Sequence, residues 1–188
     1  EYDVITRSAK VINTEEDKIR LTKAQAACID FLHGEFDVIS FYGRHAMERN
    51  MQRTSVGHGA FVIGSRRGTS SHQYNPMMIL AEKETTEDAG TCYGMSFVYS
   101  GGFKAEVEKD QFGQTRMQMG LQEEQFSYPL KKGEEFVIPE VILTCSNQGL
   151  EKLSQNLQRC IRKNLCRGKY KEKVRPVLIN SWEACYFD

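Results

Sequence analysis

Phe103-Lys-Ala-Glu-Val-Glu-Lys-Asp-Gln-Phe-Gly-Gln-Thr-Arg-Met-Gln-Met-Gly120 alternates apolar and polar side chains on both sides of a turn. Phe103, Ala105 and Val107 stand against Lys104, Glu106 and Glu108. After Asp110-Gln111-Phe112-Gly113 the period of two resumes, with Met117 and Met119 against Arg116 and Gln118. Successive side chains of a strand point to opposite faces, so each run predicts a half-buried strand. Working outward, residues 77–81 and 92–99 are β-prone runs flanking the acidic turn Glu84-Thr-Thr-Glu-Asp-Ala-Gly90, a hairpin with a long loop. Residues 2–9, 18–21, 36–42 and 60–63 add further short runs separated by polar or glycine-bearing turns. Residues 135–144 add another, with Pro139 expected on an edge or at a bulge because it lacks a ladder donor. Residues 1–145 therefore read as all-β, in the pattern of an antiparallel sandwich. A jelly roll or a barrel gives the same alternation.

The period changes near residue 147. Leu150, Leu153, Leu157, Cys160, Ile161 and Leu165 recur at helical spacing. Asn147 is placed as the N-cap, basic residues crowd the C-terminal half where the helix dipole favours them, and Gly168 is the expected stop. A polar stretch runs to Arg175, then Pro176 and the continuous run Val177-Leu178-Ile179. An unbroken apolar run is the mark of a parallel strand covered on both faces. It leads into Asn180-Ser-Trp-Glu-Ala-Cys-Tyr-Phe-Asp188, an aromatic and acidic strand end of the kind that lines the active face of a (β/α)8 barrel. The expected organisation is a β-sandwich domain over 1–145, a linker helix and basic connector over 146–175, and the first strand of a catalytic barrel over 176–188. The chain opens inside a strand pattern and stops just after another, so truncation at both ends is expected.

Composition excludes several classes. With 40% hydrophobic and 27% charged residues among 188, and no apolar run near the ~18 residues a membrane helix needs, a globular protein away from membranes is expected. The start carries no secretory signal. The zero net charge hides an asymmetry: residues 159–188 hold eight basic and three acidic side chains, net +5. Tyr170 is the only aromatic interleaved with that basic cluster, which reads as a solvated face and not as a nucleic-acid surface. The six cysteines form no C-x-x-C pair and the four histidines are scattered, so neither a zinc site nor a disulfide framework is expected. No metal or cofactor is implied, and the setting is expected to be reducing and cytoplasmic.

At this point the motifs resemble a known family. Arg175-Pro-Val-Leu-Ile-Asn-Ser-Trp-Glu-Ala-Cys-Tyr-Phe-Asp188 resembles the opening barrel strand of glycoside hydrolase family 36 α-galactosidases. Ser65-Arg-Arg-Gly-Thr-Ser-Ser-His-Gln73 with Asn75-Pro76 is similar to that family's sandwich domain. So are Tyr93-Gly94, Ser96-Phe-Val-Tyr-Ser-Gly101, Val107-Glu-Lys-Asp-Gln-Phe-Gly113 and Met119-Gly120, with Val4-Ile-Thr-Arg-Ser-Ala9 near the start and Leu165-Cys-Arg-Gly168 in the linker. The likeness is collinear over the whole chain.

The resemblance implies a multi-domain enzyme: an N-terminal β-supersandwich, a central (β/α)8 barrel and a C-terminal β-domain, assembled as a homotetramer in which sandwich domains help form subunit contacts. It implies release of terminal α-galactose from oligosaccharides such as melibiose and raffinose by double displacement, with two carboxylates ~5 Å apart. The family's nucleophile lies in a Lys-x-Asp-x-Asn motif that this sequence does not contain, so no catalytic residue is assigned and the chain alone is expected to be inactive. Trp182, the only tryptophan, matches a residue lining the sugar pocket. Glu183 and Asp188 are assigned structural hydrogen bonding at the barrel mouth. Arg66, Arg67, Ser70, Ser71 and His72 are assigned to a network supporting loops or a domain interface. His45 stands where family members often carry an aromatic, and Ser181 and Cys185 stand where Asn and Thr are usual. The competing class is a non-catalytic β-sandwich module for carbohydrate binding or oligomerisation.

Overall fold

The computed structural model describes residues 2–187, without the side chain of Glu183. Among the described residues, twelve strands form three antiparallel sheets. Six of them, in the order β1 (Val4–Ile12), β12 (Glu135–Ser146), β8 (Cys92–Phe97), β7 (Tyr74–Glu82), β4 (Phe36–Arg44) and β5 (Met47–Ser55), make the larger sheet. The second runs β3 (Gln25–Phe31), β10 (Thr115–Leu121), β9 (Phe103–Lys109), β6 (Gly59–Gly64). A two-stranded ribbon joins β11 (Tyr128–Leu130) to β2 (Ile19–Leu21). Two sheets facing one core make this a sandwich, which decides between the architectures that alternation leaves open.

The stretch 103–120 supplies the two central strands of the smaller sheet. Met117 pairs with Val107 and Ile29, and Met119 with Ala105 and Ala27, while Val107 pairs with Phe61 and Ala105 with Ile63. Two apolar rows thus cross four strands and pack on Val38, Met78, Leu80 and Met95 of the larger sheet. The opposite face of that larger sheet carries Ile39, Ile79, Ala81, Cys92 and Ile142. There α1 (Gly149–Cys160) lays down Leu150, Leu153, Leu157 and Cys160. Covering both faces explains why residues 77–81 of β7 are apolar without a break and do not alternate. Leu153 is fully buried at this seam, where truncation to alanine costs about 2–5 kcal/mol.

Several sequence expectations are corrected. Strands β3, β5 and β11 are absent from the expected set. The β5 sequence Met-Glu-Arg-Asn-Met-Gln-Arg-Thr-Ser is exposed at seven of nine positions, so no apolar period marks it, and its ladder with β4 alone makes it a strand. Pro139 does sit at a bulge: residues 139 and 140 together face Ser8, between the pairs Ala9–Ile138 and Arg7–Val141. Asn147 is not the N-cap; that position is Gln148, which makes no side-chain capping bond. The buried stripe ends at Cys160, beyond which Ile161–Leu165 widens into a π-helical turn, leaving Ile161 and Leu165 partly exposed.

Val177, Leu178 and Ile179 form no strand here and are almost wholly exposed. A parallel strand is held by ladder bonds from neighbours on its edges. Among the described residues none lies beside this run, which stays extended and ends in the short helix α2 (Trp182–Cys185).

Candidate functional site

Trp182 opens α2, its amide accepted by Asn180 Oδ1 at 3.0 Å. Its ring meets Tyr186 at 5.7 Å and Phe187 at 5.0 Å between centroids, both edge-on, the favoured geometry for aromatic pairs. The indole is 47% exposed and offers a face to an apolar partner. Glu183 and Asp188, the two carboxylates expected at the barrel mouth, are outside the description: the side chain in the first case, the whole residue in the second. The connector leading here comes from α1, so what fixes α1 fixes the origin of this segment.

That origin is held by the loop between β7 and β8. Gly149 N donates to Gly90 O at 3.0 Å, Leu150 N to Thr86 O at 3.1 Å and Glu151 N to Glu87 O at 3.0 Å. Three of the amides that a helix leaves unpaired at its start are thus met by main-chain oxygens some sixty residues upstream, in place of a capping side chain. Gly149 has φ +76°, and a Cβ there would stand 2.2 Å from Glu87 O, so only glycine permits the approach.

The loop is in turn fixed by a charged node that sequence reasoning missed. Arg53, on β5, donates from Nε to Asp37 Oδ2 at 2.7 Å, from Nη1 to Thr85 O at 2.6 Å, and from Nη2 to Lys83 O at 2.9 Å and Glu82 O at 3.2 Å. Asp37 Oδ1 accepts from Lys83 Nζ at 2.5 Å and from Ser55 Oγ at 3.0 Å. Burial opposes ionisation of Asp37, yet the Lys83, Arg53 and Ser55 hydrogen bonds outweigh it and hold the carboxyl below its ordinary pKa. The signal was readable in one respect: Asp37 interrupts the apolar run Phe36-Asp-Val-Ile39, and a carboxylate in a buried strand requires partners.

The polar residues 65–73 form a supported loop. Ser65 Oγ donates to Thr69 O at 2.6 Å, Thr69 Oγ1 to Ser100 O at 3.0 Å, Ser70 N to Ser100 O at 2.8 Å, and Arg66 pairs with Glu124. Arg67 and His72 are exposed. His45 lies at the β4–β5 turn, next to Ala46 at φ +62°. Nearby, Glu48 is held below its ordinary pKa first by its own backbone amide and then, against desolvation, by that of Ala46.

A double-displacement enzyme needs one carboxyl that stays protonated. Lys104 sits between Glu106 at 2.7 Å and Glu123 at 2.5 Å, and its hydrogen bond is the main cause that lowers the Glu123 pKa, the opposite of an acid catalyst. Burial pushes the Cys92 thiol up to about 11, far from a nucleophilic thiolate. Among the described residues no group of three or more His, Cys, Asp or Glu is gathered as metal ligands, and no helix is long and apolar enough to cross a membrane.

Comparison with known proteins fits this geometry. Residues 1–131 match the glycosyl hydrolase family 36 N-terminal domain and residues 135–188 match melibiase; the division falls within the sandwich, because β12 belongs to the second match. The bifunctional α-galactosidase/sucrose kinase AgaSK of Mediterraneibacter gnavus is 64% identical over all 188 residues, which make up 20% of its length. The α-galactosidase Mel36A of Lactobacillus acidophilus is 45% identical over 98% of this chain and 25% of its own. The galactosidase domain of AgaSK superposes with a TM-score of 0.94 over all of this chain and 26% of that one. A variant of α-galactosidase AgaA from Geobacillus stearothermophilus, in complex with raffinose, superposes with a TM-score of 0.93 at 42% identity, over 99% of this chain and 26% of that one. The chain spans about a fifth to a quarter of these relatives. It belongs to glycosyl hydrolase family 36.

Proposed function

We propose that the chain serves a retaining α-galactosidase that removes terminal α-D-galactosyl residues from oligosaccharides such as melibiose and raffinose. Residues 1–145 are its supersandwich, 146–175 the connector and 176–188 the first strand of its catalytic (β/α)8 barrel. The observation that carries this reading is the end-to-end identity to α-galactosidases, with Trp182 inside the matched region. Trp182 supplies a stacking platform for the apolar face of a pyranose. The exposed run Val177-Leu178-Ile179 gains ladder partners once the barrel surrounds it. The six unpatterned cysteines support a cytoplasmic setting, and a homotetramer in which sandwich domains contribute contacts completes the reading.

The test is hydrolysis of an aryl α-galactoside by the 188-residue chain and by a longer protein that contains residues 1–188 together with the barrel. The longer protein is expected to release galactose with the α anomer as the first product seen by NMR, and the shorter chain to stay at buffer background. Turnover by the short chain that survives repurification, or β-galactose as first product, overturns the mechanism. An inactive longer protein returns the sandwich to the class of binding or assembly modules.

A further inference from the structure

A groove of about 540 Å3 lies between β6, the loop 65–73 and the segment 122–124, within the roughly 300–1,000 Å3 of small-ligand clefts. Its floor is rigid. A Cβ on Gly64 would stand 2.5 Å from Phe103 O, so β6 and β9 approach closely there, and Ser65 N donates to Phe103 O at 3.0 Å.

Among the described residues, the charges of the groove are matched except at Arg67, whose side chain makes no ion pair. Lys104 is held by Glu106 and Glu123, Lys23 lies 3.4 Å from Glu123, and Arg66 pairs with Glu124. A small anion entering would meet Glu123 and Glu124, and a small cation would meet Lys104, Arg66 and Arg67. A cation is therefore disfavoured, while an anion gains Arg67 only beside two carboxylates. Hydrogen-bonding capacity is left over, however. Among the described residues, the Arg67 guanidinium, the Gln73 amide and the Tyr74 hydroxyl have no hydrogen-bond partner, and Tyr74 is 39% exposed. Planar guanidinium and amide groups present paired donors, and the paired carboxylates retain free lone pairs. That combination, with an aromatic face beside it, suits a ligand with many vicinal hydroxyls and no net charge.

We propose that this groove is a non-catalytic binding site for a neutral oligosaccharide, with Arg67, Gln73 and Tyr74 as its contacts and Glu123 and Glu124 as acceptors. The proposal stands apart from the α-galactosidase reading, which governs only the choice of one probe. The test is amide chemical-shift mapping of the 188-residue chain titrated with raffinose, with maltotriose as a glucosyl trisaccharide, and with sulfate. Saturable shifts at residues 65–74 and 122–124 with either sugar, at millimolar Kd, are expected. Arg67→Ala and Gln73→Ala lie at exposed positions and should leave the remaining spectrum intact. Each is expected to weaken binding several-fold and the pair about tenfold or more. The proposal is overturned if neither sugar shifts these amides at tens of millimolar, or if the double variant keeps the Kd. It is equally overturned if sulfate saturates the same amides more tightly than the sugars. Shifts confined to residues 180–187 would also overturn it while leaving the role of Trp182 standing.

Discussion

Arg53 Nη1 donates to the main-chain oxygen of Thr85 at 2.6 Å, which ties an edge strand with almost no apolar character to the loop that caps α1. The same guanidinium reaches two more carbonyls of that loop and the Asp37 carboxylate. Few side chains besides arginine present enough donors in a planar fork to do this. Through that loop a residue on the edge strand β5 is linked to the start of the helix that covers the outer face of the sheet.

Arg53→Ala should cost about 1–3 kcal/mol, the range for lost hydrogen bonds to charged groups, lowering Tm by roughly 3–10 °C in a chain of this size. Lysine should recover little, since it has no fork. Hydrogen exchange at the Leu150 and Glu151 amides should quicken in step, because their acceptors belong to the freed loop. Unchanged exchange at those two amides would show that the loop holds the helix without Arg53.

Acid should loosen the same node. The Asp37 carboxyl is depressed in the fold from its ordinary 3.8, so its contribution to stability is complete above that value and is lost as pH falls through the lower folded pKa. Urea midpoints measured from pH 7 down to pH 2 should decline below about 4. Asp37→Asn should lower stability at neutral pH and flatten that decline. An identical acid slope in the variant would assign the titration to other carboxylates.

Gly149→Ala places a Cβ 2.2 Å from Glu87 O at a φ of +76°. Left-handed strain alone costs about 1–2 kcal/mol, and relief of the clash must separate the loop from the helix start. A total loss of about 3 kcal/mol or more is expected, placing it among the severe single substitutions. Denaturant unfolding with an unchanged m-value checks it. A loss within experimental error would mean that the helix start shifts without penalty.

In the α-galactosidase we propose, Trp182→Ala removes an apolar platform worth roughly 1–3 kcal/mol. It should cut kcat/KM about 10- to 100-fold, chiefly through KM if ground and transition states share the contact. Phenylalanine should restore much of it. Tm recorded on the same preparation decides the alternative, since a destabilised enzyme with unaltered KM would make Trp182 a packing residue.

Strands whose side chains report burial on one face are legible from residue order alone. Val107 and Met117 alternate with charged or polar neighbours, and they are found paired at the centre of the smaller sheet. Residue order likewise marks the helix through Leu150, Leu153 and Leu157, since only a helix brings that spacing onto one side. It also carried the family, through motifs spread along the whole chain. That β5 is a strand emerges only from its pairing in the fold, because main-chain ladder bonds do not depend on side-chain pattern and both its faces are largely wet. The fold alone replaces the expected Asn147 cap by carbonyls of Thr86, Glu87 and Gly90, since a backbone acceptor has no sequence signature and local capping rules cannot see it. The same holds for Asp37, Arg53 and Lys83: three charges far apart in sequence become one node because pairing β4 with both β5 and β7 brings them within hydrogen-bond reach. The run Val177-Leu178-Ile179 marks the opposite limit, an apolar pattern that becomes a strand only when neighbouring strands supply its hydrogen bonds.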